Sequence, residues 1–235
     1  GHFSGRITAP LVFAGAICKQ ILEAKGIKIV SHIKSIGTIE DKSFLDEKIT
    51  EGFINSYMSK ELPLIDELKE EAMRKEILLA KEELDSIGGT VECAVLGIEP
   101  GIGNPFFDSV ESTLAHLMFS IPAVKGIEFG TGFELTQMRG SQANDSMYFS
   151  GEKVLTKTNN NGGILGGITN GMPVIFKVAI KPTSSILKSQ NTVNINTGEE
   201  TVLEVNGRHD PCIVQRALPV IEAATAIGIL DLIEN

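Results

Sequence analysis

Arg208, His209 and Asp210 stand side by side just ahead of the last apolar stretch of the chain, followed by Pro211 and Cys212. An aspartate followed by proline is the pattern of a helix N-cap with a first-turn proline, so capping alone accounts for Asp210 and Pro211. It does not account for Arg208. A carboxylate at a helix mouth beside an arginine is held as an acceptor or weak base, which makes Asp210 a candidate for proton transfer as well. His209 could be an acid or a base, although a lone histidine is more often incidental.

Three further segments carry polar residues that solvation does not explain. Ser4 and Arg6 lead into a helix whose amide donors and positive dipole end favour an anion; a capped helix start with an exposed arginine is the plainer reading. From Thr158 to Gly171 five glycines fall within ten residues. It lacks the Gly-Lys-Ser/Thr ending of a Walker loop and opens a strand where a Rossmann fingerprint opens a helix, so neither nucleotide reading holds. What remains is a backbone that lets a flat ligand approach closely, or a flexible loop. Lys181, Pro182, Thr183, Ser184 and Ser185 offer one ammonium, three hydroxyls and the amides of a tight turn, which suits a phosphate oxygen cluster and equally an ordinary polar turn begun by proline.

The elements that must position these residues read as a mixed α+β chain. Thr8 with Pro10 starts a helix whose Leu11, Ala14, Cys18 and Ile21 share a face until Gly26. Residues 27–36 alternate as a half-buried strand, with Lys28, His32 and Lys34 opposite the isoleucines. Residues 38–61 are charged and weakly periodic. A helix follows from about Pro63 to Ser86, with Ile65, Leu68, Ala72 and Leu79 on one face and a stop at Gly88 and Gly89. Val91, Cys93 and Val95 form a strand; Asp108 with Glu111 caps the next helix. A long polar loop from about Arg139 to Gly171 precedes a strand at 174–180, a short strand at 201–205 and a final helix at 212–233. Uneven connections favour an α+β layered fold over a doubly wound sheet.

Composition narrows the function. With 21 Lys and Arg against 30 Asp and Glu, net charge is -9, and there is no tryptophan; both argue against a nucleic-acid surface. Any anionic ligand must be small and held by local cations. Cys18, Cys93 and Cys212 are odd in number and widely spaced, which signals neither a disulfide framework nor a metal site and makes a reducing cytosol the default. No apolar run reaches the ~18 residues of a membrane span, and the chain starts without methionine, as the middle of a longer sequence would.

All four segments, in this order, resemble the chorismate synthase family. The resemblance rests on Gly1, Ser4, Gly5, Arg6, Thr8, Val12, Gly15 and Ala16 at the start, the run from Arg139, the glycine-rich run from Asn160 to Gly167, Lys181 to Ser185, and Arg208 to Cys212 with Glu222, Ala223 and Ala224. It implies an α+β sandwich of helices between antiparallel β-sheets, with residues 1–235 a single domain forming the C-terminal portion of a cytoplasmic homotetramer without metal. The implied reaction is a 1,4-anti elimination of phosphate from 5-enolpyruvylshikimate-3-phosphate to chorismate, assisted by reduced FMN, with NADPH a possible reductant. By motif, His2, Phe3, Ser4, Pro122, Ala123 and Gly166 would lie at the FMN. Lys181, Pro182, Thr183, Ser184 and Ser185 would hold its phosphate tail, with Arg208 beside it. Arg6 and Arg139 would meet the substrate's phosphate or carboxylates, and Asp210 would take a proton from the flavin N5. The family's N-terminal segment, with its two catalytic histidines, has no match here: none of His2, His32, His116 or His209 fits those positions. The isolated chain is therefore expected to be inactive or nearly so. A non-catalytic flavin- or phosphate-binding fragment is the alternative; a phosphotransferase is permitted by the Lys181 to Ser185 run but disfavoured by the missing nucleotide loop.

Overall fold

The computed structural model describes residues 4–234. In chain order these form α1 (Ala9–Ala24), β1 (Lys28–Ile36), β2 (Ile39–Glu40), α2 (Glu51–Tyr57), α3 (Glu70–Glu82), β3 (Gly89–Leu96), α4 (Val110–Ser120), β4 (Val124–Phe129), α5 (Gly140–Ala143), β5 (Met147–Ser150), β6 (Lys153–Thr156), β7 (Ile164–Leu165), β8 (Ile168–Thr169), β9 (Val174–Ile180), β10 (Gln190–Val193), β11 (Glu200–Leu203) and α6 (Val214–Glu234). One antiparallel five-stranded sheet, in the order β2-β1-β3-β9-β4, forms the frame; β5-β6, β7-β8 and β10-β11 are separate two-stranded hairpins. The α+β class is as expected.

Strand alternation sorts the sheet's side chains into two cores. Ile29, Ile33, Val91, Cys93, Val95, Val174, Phe176 and Val178 face the helices α1, α4 and α6, while Val30, Ala94 and Ile175 face Phe44, Ile54 and Tyr57. A bulge between Ile33 and Ser35 adds a residue to β1, so that Ile36 returns to the helix side. Strand β1 is thus covered on both faces, not half-buried.

His32, expected among the outward residues, is fully buried in the second core. Its Nδ1 lies 3.1 Å from Asp41 Oδ2 and its Nε2 2.8 Å from Glu92 Oε2. Both contacts need an N–H, so the ring is an imidazolium. The carboxylates are themselves satisfied: Asp41 accepts from the amides of Lys42, Ile65 and Asp66, and Glu92 from Ser43 Oγ and the Phe44 amide. Burial works against charge on His32, but the hydrogen bonds and charges of Asp41 and Glu92 overcome it and raise its pKa above the ordinary 6.5. Against the same desolvation, His32 and the donated amides lower Asp41 and Glu92 below 3.8 and 4.5.

The helices depart from their expected faces and ends for identifiable reasons. In α1 the buried line runs through Leu11, Gly15, Cys18 and Leu22, leaving Ala14 and Ile21 exposed, because the backbone at Gly15 presses on Ala223 of α6. A Cβ at Gly15 would lie 2.7 Å from the Ala223 carbonyl oxygen and closer still to its Cα and Cβ. Residues 63–66 do not begin α3: Pro63 accepts from the Ile33 amide (2.9 Å), and Asp41 accepts from the amides of Ile65 and Asp66. The buried face of α3 is then Met73 and Ala80, with Leu68 and Leu79 outside. That helix ends at Glu82; Gly88 and Gly89 serve β3 instead, where side chains would strike the carbonyls of Ile180 and Ser35. Ser109, not Asp108, caps α4 by accepting from the Ser112 amide, because Asp108 closes a backbone bridge with Asn104. The expected loop at 139–171 contains α5 and the hairpins β5-β6 and β7-β8.

Together the 3-10 turn at Gly5–Thr8 and α1 give 20 residues of mean hydropathy 1.3, long and apolar enough by those measures alone to cross a membrane, which corrects the expectation that no segment is. In this fold the segment lies along α6, with Lys19 paired to Glu222 at 2.5 Å. The exposed hairpin β10-β11 leaves the body after Ser185 and returns at Arg208, its base tied by the amides of Leu187 and Lys188 to the Leu84 carbonyl and by Ser189 Oγ to Glu204.

Removing the buried cation strands two carboxylates, so His32→Ala is predicted to cost about 3–5 kcal/mol in urea denaturation. Because the His32 pKa is raised, its contribution is full below pH 6.5 and fades as pH climbs through the folded value; the lowered Asp41 and Glu92 contribute fully above 4.5 and fade in acid. The parent should therefore lose stability on the alkaline side of 6.5 with a slope that His32→Ala lacks. Gly15→Ala pits about 1 kcal/mol of helix propensity against about 1–3 kcal/mol of overpacking. The clash is with backbone, which no rotamer relieves, so a net fall in denaturation midpoint is predicted.

Candidate functional site

Two of the four chemistry-bearing segments meet, beside Pro122 and Ala123, where β9 ends. The Lys181 amide donates to the Ala123 carbonyl at 2.9 Å, extending the β4-β9 pairing by one bond and setting Pro122 and Ala123 beside the Lys181 to Ser185 run. Ala123 holds φ at 74°, a left-handed conformation costly for a residue with a Cβ. Thr183 Oγ1 donates to the Asp210 carbonyl at 3.2 Å, and Ser86 Oγ donates to the Thr183 carbonyl at 2.7 Å. The Ile87 amide donates to the Pro211 carbonyl at 2.8 Å, so the segment before α6 is pinned to this edge from two sides.

Asp210 does not cap α6, which starts at Val214. The Ile213 carbonyl takes the amides of Arg216 and Ala217, and Asp210 closes a tighter turn in which its Oδ1 accepts from the Cys212 amide at 3.4 Å. Its Oδ2 is 3.0 Å from Arg216 Nε, yet this buried oxygen has no aligned hydrogen bond: the charges touch without a shared proton direction. His209 Nε2 next to it is also buried without a partner. Lys181, Ser184, Ser185 and Arg208 are exposed, and among the described residues no ion pair engages Lys181 or Arg208.

The glycine-rich run is anchored at the other end of β9. Gly162 accepts from the Ile175 amide at 3.1 Å, and Ile175 accepts from Gly130 at 2.8 Å. Asp145 organises the run: it accepts from Thr158 Oγ1 (2.6 Å) and from the amides of Asn160 (2.8 Å) and Asn161 (2.9 Å). Desolvation opposes its charge, but these donors lower its pKa below 3.8. The run is accordingly a built loop. Gly166 turns the β7-β8 hairpin at φ 60°, with nothing within 4 Å of the place a Cβ would occupy. Arg139 belongs to this end, since Asn160 Nδ2 donates to the carbonyls of Gln142 and Ala143 in α5. Seven residues of β9, about 23 Å at ~3.3 Å each, separate this group from Lys181.

At the start of α1, Ser4 Oγ accepts from the Arg6 amide at 3.2 Å and Thr8 Oγ1 donates to Gly5, so Ser4 caps the leading turn while Arg6 is exposed. His2 and Phe3 lie outside the described residues. Among the described residues no hydrogen bond or ion pair joins Arg6, Arg139 or Gly166 to the Asp210 group. Sequence reasoning missed Asp145 and Arg216. An aspartate shortly before three consecutive asparagines was the available signal for the first; nothing local marks the second.

Comparison with known proteins gives this arrangement a family. The family model described as chorismate synthase matches residues 1–233. Chorismate synthase of Pyrococcus abyssi (strain GE5 / Orsay) is 47% identical over 98% of this chain and 63% of its own length, and that of Thermococcus kodakarensis is 45% identical with the same shares. A crystal structure of chorismate synthase superposes with a TM-score of 0.78 at 34% identity, covering 97% of this chain and 63% of that one. The chain thus spans less than two thirds of the length of these relatives, and over that span it belongs to the chorismate synthase family.

Proposed function

We propose that this chain carries the flavin-facing part of a chorismate synthase, the lyase that eliminates phosphate from 5-enolpyruvylshikimate-3-phosphate in a 1,4-anti sense. One observation supports it most: Ala123, Lys181 to Thr183 and Asp210, distant in sequence, are hydrogen-bonded into one edge where two buried polar atoms, Asp210 Oδ2 and His209 Nε2, have no hydrogen bond, the first of them held only by the ion pair with Arg216. Orphaned polar atoms of this kind are costly and call for a ligand or water.

The residues fit a flavin mononucleotide. Thr183 Oγ1 is engaged by the Asp210 carbonyl, so the Lys181 ammonium and the hydroxyls of Ser184 and Ser185 are the donors left for a terminal phosphate, with the Arg208 guanidinium beside them. Pro122 and Ala123 would present backbone to the ring system. Bound reduced FMN would supply electron density to the elimination, which has no net redox change. With FMN bound, Asp210 Oδ2 would serve as acceptor for the flavin N5 proton, while Oδ1 on the Cys212 amide keeps the carboxylate oriented. Arg216 balances the Asp210 charge without taking up the hydrogen bond that this transfer needs. His2, Phe3, Ser4 and Gly166 as flavin contacts, and Arg6 and Arg139 as substrate contacts, rest on the resemblance alone. So do the homotetramer, the cytoplasmic location, the role of NADPH and the extent of the domain.

Titrating the chain with oxidised and reduced FMN, with and without the enolpyruvyl substrate, should show saturable quenching of flavin fluorescence or protection of the Lys181 to Ser185 amides; absence of binding in every arm would overturn the proposal. Binding without phosphate release would favour the flavin-binding fragment over a complete catalyst. In a complete family member carrying this sequence, Asp210→Asn should lower kcat by about 10²–10⁴-fold with an unchanged thermal midpoint. Undiminished turnover would leave Asp210 a turn former only.

A further inference from the structure

Three Asn-Gly steps occur in this chain, at Asn161-Gly162, Asn170-Gly171 and Asn206-Gly207. The pair is chemically labile because glycine has no Cβ to keep its amide nitrogen from the preceding side chain, so that nitrogen can attack the asparagine Cγ and expel the side-chain nitrogen. Two of the three steps are held out of this reaction. Asn161 Nδ2 donates to Asp145 Oδ2 at 2.8 Å, and the buried Gly162 spends its N–H on the Asn159 carbonyl at 3.0 Å. Asn170 Oδ1 accepts from the Met172 amide at 3.0 Å, its own amide donates to the Gly163 carbonyl at 3.0 Å, and its Nδ2 is buried, closed to the water that the reaction consumes.

The third step has none of these restraints. Asn206 and Gly207 are exposed between β11 and Arg208, outside any helix or strand. Among the described residues no hydrogen bond engages the Asn206 side chain or the amide of either residue. The glycine also has a packing reason to be there: a Cβ at 207 would lie 3.0 Å from Cε1 and Nε2 of His209, so the imidazole edge occupies the place of a side chain.

We propose that Asn206 is a site of spontaneous deamidation. The Gly207 nitrogen bonds to Asn206 Cγ, the Cγ–Nδ2 bond breaks, and the Gly207 amide proton leaves with the departing nitrogen as ammonia. Water then opens the resulting succinimide at one of its two carbonyls, giving aspartate or isoaspartate; one ammonia leaves, one water enters, and nothing is oxidised or reduced. Either product sets a carboxylate two residues before Arg208, at most about 7 Å along the chain and inside the ~8 Å screening length of physiological salt. Isoaspartate also lengthens the backbone ahead of Arg208, His209 and Asp210. The loss of phosphate affinity that follows at Arg208 rests on the flavin proposal; the modification itself does not.

The test is peptide mapping of the folded chain after storage at physiological pH and temperature, with trypsin digestion in heavy-oxygen water so that conversion during digestion is labelled. Cuts after Lys188 and Arg208 release one peptide holding Asn206, and cuts after Lys157 and Lys177 another holding Asn161 and Asn170. The first should gain the mass of an amide-to-acid conversion at Asn206, with isoaspartate present, while the second stays unchanged. Gly207→Ala should slow the gain several-fold, since a Cβ crowds the attacking nitrogen. An Asn206 that stays intact while a synthetic peptide of residues 201–210 converts, or equal conversion at all three steps in the folded chain, would overturn the proposal. Asn206→Asp should weaken FMN binding by about threefold, the effect of one charge at this distance in water. Equal affinity would overturn the electrostatic consequence, and absence of binding in both chains would count against the flavin proposal alone.

Discussion

The double pairing of β9 is the constraint on which the rest depends. Its backbone is bonded to β3 on one side and β4 on the other, and its side chains enter both cores, so it can neither slide nor turn. A slip of one residue would carry Val174, Phe176 and Val178 from the helix side to the other. The ion pair of Lys177 with Glu128 at 2.6 Å adds a check on register. Two of the candidate segments are attached to the ends of this strand, and each end inherits its rigidity: the glycine-rich run where β9 begins, the Lys181 run where it finishes.

Buried polar groups here fall into two kinds. His32, Asp41 and Glu92 form a network in which the polar atoms are spoken for, and such a network stabilises and specifies the fold without exchanging anything with a ligand. Asp210 Oδ2, His209 Nε2 and Gln215 Oε1 are buried without a hydrogen bond. The protein carries the cost of these groups at α6 and in the turn leading into it, the region that also brings a proline into a helix interior and a charged pair without hydrogen-bond alignment. Where satisfaction is complete the residues serve architecture; where it is incomplete the fold carries a cost that its own contacts do not repay.

Much of this was legible in the sequence. The strands at 91–95 and 174–180, the helix from Pro10 to Gly26, the final helix and the α+β class follow from periodicity and from proline and glycine punctuation, although Thr8 makes no side-chain cap to the first helix, and the short motifs marked the segments that converge on Asp210. What periodicity could not show was the second core. His32 reads as the polar face of a strand because its partners, Asp41 and Glu92, are nine and sixty residues away. The same blindness to distant partners displaced the helix faces: Gly15 is buried because Ala223 lies against it, and no local pattern makes a glycine the centre of an interface. Capping misled at Asp108 and Asp210, where the right residue type sits one or three places too early and the backbone spends it on a turn.

The exposed hairpin β10-β11 joins the Lys181 run to Arg208, and its tethers at Leu84 and Glu204 close the loop at its base. Closing a loop costs only about 0.6 kcal/mol more for each doubling of its length. The stretch beyond those tethers is therefore nearly free to lengthen, shorten or drift in composition among descendants of this sequence, while the residues on either side of its root remain at a fixed distance from one another.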